Sequence, residues 1–223
     1  SRGSSGLMEP LLPPFRQPEY CYEHTAEVLM DLSYLVHDFE AMCRKLKRTS
    51  RTVLVDMGAS LDFHRGETSP AVYLTELYRK FGFTFDHIYA YEVTPKEPAR
   101  VFKKLPKHLM AAYHWINVGV ETDPTSSLNP LKMILENFNE DDFIVIKLDI
   151  DTSFIEVPLA NQLLNDTALH KLVDQFYFEH HVTLGELAGS WTRSRKGSIL
   201  DSLELFLGLR ASGVPAHSWV SVD

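Results

Sequence analysis

Apolar residues recur along this chain in two distinct periods. Over residues 24–47 they stand at Leu29, Leu32, Val36, Phe39, Met42, Cys43 and Leu46, the spacing of one face of an amphipathic helix. Val53, Leu54 and Val55 then run without a break into Asp56, as in a short buried strand. The segment 68–82, TSPAVYLTELYRKFG, carries Ser69 as a cap, Pro70 at the first helical position and Gly82 just past the end. Residues 86–93, 113–120, 142–151 and 172–182 read as further strands, and AHSWVSV closes the chain as another. Helical patterns intervene in PKEPARVFKKLP, in NPLKMILENF at 129–138, in FIEVPLANQLLND despite Pro158, and in ILDSLELFLGLRASG, which ends at Gly213. The stretch 183–198, TLGELAGSWTRSRKGS, reads as a long polar loop; with Trp191 and the run TRSRK it is a candidate lid over a substrate.

Alternating strands and helices at this spacing predict an α/β fold of three layers. A mostly parallel sheet of about six or seven strands is covered by helices on both faces. The strands are continuously apolar rather than alternating, as a sheet covered on both faces requires. The chain divides into an N-terminal arm, residues 1–22, and a single domain, 23–223. SRGSSG, at the start, is set aside from fold reasoning.

Composition narrows the function. The net charge of -8 over 223 residues argues against broad nucleic-acid binding, which needs a positive face. The basic run RKLKRTSR at 44–51 reads as cations closing a helix C-terminus. Cys21 and Cys43 form no disulfide framework and read as reduced thiols, which points to an intracellular, cytoplasmic protein. No apolar run reaches the ~18 residues of a membrane span.

In open α/β sheets, ligands bind beyond the carboxyl ends of the strands. Those ends here read VDMGAS, YEVTP, NVGVETD, KLDID and FEHH, so acids and histidines collect on one rim. Gly58 lets backbone approach a ligand, and Glu92, closing the second strand, can accept both hydroxyls of a ribose. The dinucleotide pattern G-x-G-x-x-G is absent: after Gly58 the next glycine is Gly66. A pyrophosphate would lose its cradle, whereas S-adenosylmethionine carries no phosphate and asks for less. Asp149 and Asp151, at i, i+2, would share a face of an extended strand, and only one of His180 and His181 can join them. Such a set could supply a general base, hold a divalent ion, or cap the sheet as a hydrogen-bonded network. Lys147, in a strand suited to burial, is expected to pair with a nearby acid.

VLVDMGAS, IYAYEVTP, DDFIVIKLDID and FYFEHH, in that order, resemble the FkbM-type S-adenosylmethionine-dependent methyltransferases over roughly residues 50–222. The resemblance implies a Rossmann-like seven-stranded sheet and methyl transfer, often to a hydroxyl oxygen of a small molecule or glycan. It implies that Asp56, Gly58 and Ser60 lie along the methionine part of the cofactor, that Glu92 holds the ribose, and that Asp149 sits near the cofactor's amino group or the acceptor. The candidate cofactor set is Asp56, Gly58, Ala59, Ser60, Glu92 and Glu121; the candidate catalytic set is Asp149, Asp151 and His180, with no metal assigned. Two features depart from the family. Asp62 stands where a second glycine is expected, followed by an insertion that holds His64 and Arg65, and one strand rather than two follows the fifth. These departures sustain an alternative: a catalytically inactive relative serving as an interaction or assembly subunit, with helix 24–47 as the surface for a protein partner. A nicotinamide-dependent oxidoreductase is a weaker third reading.

Overall fold

A computed structural model describes residues 39–60, 69–182 and 197–219. The expected arm at 1–22, most of helix 24–47, the insertion with Asp62, His64 and Arg65, and most of the candidate lid with Trp191 lie outside the described residues.

Helix α1 covers Phe39–Lys45 and leads into strand β1, Thr52–Met57. Helix α2 is Pro70–Lys80, with the Ser69 side chain accepting from the Val72 amide and Gly82 beyond its end at φ 83°. Strand β2, His87–Tyr91, is followed by α3, Pro98–Lys104, and β3, Tyr113–Ile116. Then come α4 (Pro130–Asn137), β4 (Phe143–Leu148) and α5 (Ser153–Asn165), which contains Pro158. A short helix α6, Thr167–Leu172, capped by Asp166, enters β5, Val173–Phe178. Helix α7 (Ile199–Ala211) and β6 (Ala216–Ser218) complete the described chain.

The six strands make one sheet in the order β3-β2-β1-β4-β5-β6, and every pairing is parallel. This is the expected three-layer Rossmann-like α/β fold, with six strands. Alternation along each strand divides the core in two. Val53, Val55, Ile144, Ile146, Phe176 and Phe178 pack under α4, α5, α6 and α7. Leu54, Ile88, Ala90, Val145 and Tyr177 pack with α1, α2, α3 and Trp219 on the other face. Burial of each such side chain stabilises by roughly 1.5–3 kcal/mol.

Several elements depart from the expectation, β5 among them, which stops at Phe178 rather than 182. Strand β3 stops at Ile116 rather than 120, because the Asn117 side chain leaves the ladder to bond the Glu92 and Thr94 carbonyls and the Lys96 amide. Helix α6 is an element that the apolar pattern does not mark. Strand β4 ends at Leu148, so Asp149 and Asp151 do not continue its alternation. Strand order reverses between β1 and β4, which puts the ligand crevice at Gly58 and Asp149. Among the described residues no helix is long and apolar enough to cross a membrane.

Candidate functional site

A cleft of about 460 Å³ opens at that point, within the size range of small-molecule sites. Gly58 and Ser60 form one wall; Tyr91, Glu92, Val93 and Thr94 follow from β2; Val118, Gly119 and Val120 follow from β3. Asp149 to Thr152, with Phe154 and Ile155, close it from β4 and α5.

The turn after β1 explains its glycine. Gly58 has φ 94°, and a Cβ there would stand 1.6 Å from the Asp149 carbonyl oxygen, so no side chain fits. Its amide and that of Ala59 both donate to the Tyr91 carbonyl, at 3.1 and 3.0 Å. Those two N–H groups are therefore spent within the sheet. Ala59 is buried in the core beside the cleft rather than lining it. Glu92 lines the cleft, and its Oε1 accepts from the Thr94 amide at 2.7 Å, which fixes the carboxylate at the mouth. Glu121 is exposed outside the lining.

Beneath the cleft lies a buried charge network. Lys147, fully buried, places Nζ 3.1 Å from Asp56 Oδ1 and 3.0 Å from Asp149 Oδ2. Trp219 Nε1 donates to the same Asp149 oxygen at 3.2 Å. Burial opposes the lysine's charge, but Asp149 and Asp56 outweigh it and raise its pKa. Burial pushes the Asp56 carboxyl up despite Lys147. It acts likewise on Asp149, yet there Lys147 and the hydrogen bond with Glu179 hold the carboxyl below its usual range. Asp56 thus sits under the site as a partner of Lys147, not in the cleft wall.

The second network stands on the rim. His181 Nε2 lies 3.2 Å from Asp151 Oδ1 and 3.2 Å from Glu179 Oε2. Burial disfavours the imidazolium, but the bonds to Asp151 and Glu179 raise its pKa to about 11. Glu179 is pushed up to about 8 by burial and by the Asp149 charge, with His181 acting the other way. Glu156 accepts from the Ile150 amide at 2.9 Å and is pushed up to about 7, chiefly by burial. Asp151 is half exposed and holds φ at 55°, an outlier for a residue with a Cβ.

Asp149 and Asp151 are thus brought to one rim, through different partners. The histidine that joins them is His181. His180, the expected candidate, turns to the opposite face, where its ring stacks on Phe178 at 5.1 Å. Alternation told that the two histidines part company but not which one faces the acids. Sequence reasoning also passed over Glu156 and Trp219. The former sits in the first turn of α5, and the latter follows directly on β6, in the closing segment AHSWVSV. No family model matches the chain, and neither the curated proteins nor the solved structures yield a match.

Proposed function

We propose that this chain is an S-adenosylmethionine-dependent methyltransferase acting on an oxygen of a small molecule or glycan. The observation that carries the reading is the charge of the cleft. Its described lining contains Glu92, Asp149 and Asp151 and no lysine, arginine or histidine. A polyanionic dinucleotide would meet three carboxylates there, while a sulfonium with an α-amino group meets its counter-charges. The spent amides of Gly58 and Ala59 point the same way, since they are the groups a pyrophosphate would need. Strand order alone favours neither cofactor.

In this reading Glu92 takes the ribose hydroxyls, and Val93 and Val118 flank the adenine. The methionine end runs past Gly58 and Ser60 toward Asp149. Methyl transfer then needs an acceptor oxygen in line with the sulfonium and a group to take its proton. Asp151, half exposed and paired with His181, is the base nearest to hand.

Calorimetry of the full chain with S-adenosylmethionine tests the reading. Saturable binding is expected. A folded chain that takes up none at about millimolar cofactor, beyond the usual upper end of enzyme affinities, refutes it and leaves the inactive-subunit alternative.

A further inference from the structure

The rim trio has the composition and size of a metal site. Asp151 Oδ1, Glu179 Oε2 and His181 Nε2 all lie within 4.8 Å of one another, and the imidazole nitrogen is 3.2 Å from each oxygen. Ligands at 2.0–2.2 Å from a cation stand about 2.9–4.4 Å apart in octahedral or tetrahedral arrangements. The triangle is therefore already close to the size of a coordination shell.

The triangle adjoins the buried charge network under the cleft. Glu179 and Asp149, both buried, are in hydrogen-bonding contact with each other. Lys147 and Trp219 hold the Asp149 oxygen that faces them, and Glu179 turns its Oε2 to His181 on the rim. Glu156 adds a further buried carboxyl whose charge acts on His181.

We propose that Asp151, Glu179 and His181 form a site for one divalent cation at the rim of the cleft. One nitrogen and two oxygens, with no thiolate, suit Mn²⁺, Mg²⁺ or Zn²⁺. Glu179 is buried, His181 is partly buried, and Asp151, the one of the three that lines the cleft, is half exposed, so the site meets the cleft through Asp151. On binding, His181 ligates as the neutral imidazole through Nε2, and the displaced protons leave to solvent. The site stands by itself; its use, holding and acidifying an oxygen of the acceptor, rests on the methyltransferase reading.

The test is a Mn²⁺ titration of the full chain, followed by electron paramagnetic resonance of the free ion. One saturable site is expected, with a dissociation constant below about 1 mM. Asp151→Asn keeps a side chain that tolerates positive φ and removes the charge; it should weaken uptake at least about tenfold, as should His181→Gln. Asp123→Asn, at an exposed carboxylate bonded to Thr125, should leave uptake unchanged. Thermal unfolding shows whether each variant remains folded. A folded chain with no saturable Mn²⁺ uptake overturns the site, as does uptake undiminished by folded Asp151→Asn; the trio is then an imidazolium bridging two acids. Calorimetry with S-adenosylmethionine separates the two claims. Cation uptake without cofactor binding upholds the site and removes the methyltransferase reading. Cofactor binding without cation uptake does the reverse.

Discussion

At the scale of single residues, three positions carry most of the site. Gly58 is fixed by both its positive φ and the Asp149 carbonyl. Gly58→Ala must push β1 and β4 apart at their ends, so it should lower stability by at least about 2 kcal/mol in a urea titration. A loss under half of that would mean the turn can shift freely. Lys147 balances two acids in a dry layer. Lys147→Met leaves Asp56 and Asp149 without a counter-charge, at a cost of about 3–5 kcal/mol near neutral pH. The sign of its pH dependence follows. Without Lys147 both carboxyls have folded pKa values above their unfolded ones, so their neutral forms are favoured on folding. The variant should therefore recover toward the wild type as pH falls toward the ordinary carboxyl range, whereas a pH-independent loss would assign the cost to packing. Glu92 is the residue on which cofactor affinity turns. Glu92→Ala should weaken S-adenosylmethionine binding by roughly 1.5–3 kcal/mol, the range for charge-assisted hydrogen bonds, and unchanged affinity in calorimetry would remove it from the ribose.

At the scale of elements, the ends are set by side chains more than by propensity. Asn129, buried, caps α4 by accepting from the Leu131 and Lys132 amides, and its Nδ2 donates to Gln162 of α5. Asn129→Ala loses both roles and should cost about 1–2 kcal/mol, while Asn129→Asp keeps the cap and recovers part of it. Equal losses in chemical denaturation would show that the link to α5, not the cap, is what matters. The same point explains what could be read from sequence. Ser69, Pro70 and Gly82 mark the bounds of α2 because a cap, a fixed φ and a left-handed turn are local properties. The end of β3 was not legible, since it depends on Asn117 reaching the backbone of the segment after β2. Nor was the site pairing. The i, i+2 logic for Asp149 and Asp151 assumes a strand that continues, and β4 ends one residue before Asp149. Period-two alternation separates His180 from His181, but which one meets the acids depends on the register between β4 and β5, including the shift between Ile144 and Val145. Sequence periodicity thus placed the rim, and tertiary register chose its partners.

At the scale of the whole molecule, the concentration of acids under one rim sets how stability varies with pH. Asp142, bonded to Arg51, and Asp149, paired with Lys147, are depressed. Groups of that kind stabilise the fold above their unfolded pKa of 3.8, and the contribution is lost as pH falls through the folded values. Glu156 and Glu179 behave oppositely. Their folded values, about 7 and about 8, lie above the ordinary 4.5, so they stabilise below 4.5 and lose that contribution as pH rises through 7 and 8. His181, raised from 6.5 to about 11, loses its contribution between those values, and Lys147, also raised, loses its own only above 10.5. A net charge of -8 at pH 7 adds self-repulsion on the alkaline side. The melting temperature should therefore peak near pH 4–5 and decline toward pH 9, by roughly 2–3 kcal/mol of stability after allowance for the coupling among these groups. Glu179→Gln isolates the cause, because its amide donates to Asp149 as a neutral carboxyl would and cannot ionise. Its stability should match the wild type near pH 4 and fall less steeply between about pH 5 and 8 in thermal unfolding across that range. Parallel profiles for the two proteins would place the loss elsewhere, in Glu156, His181 or the overall charge.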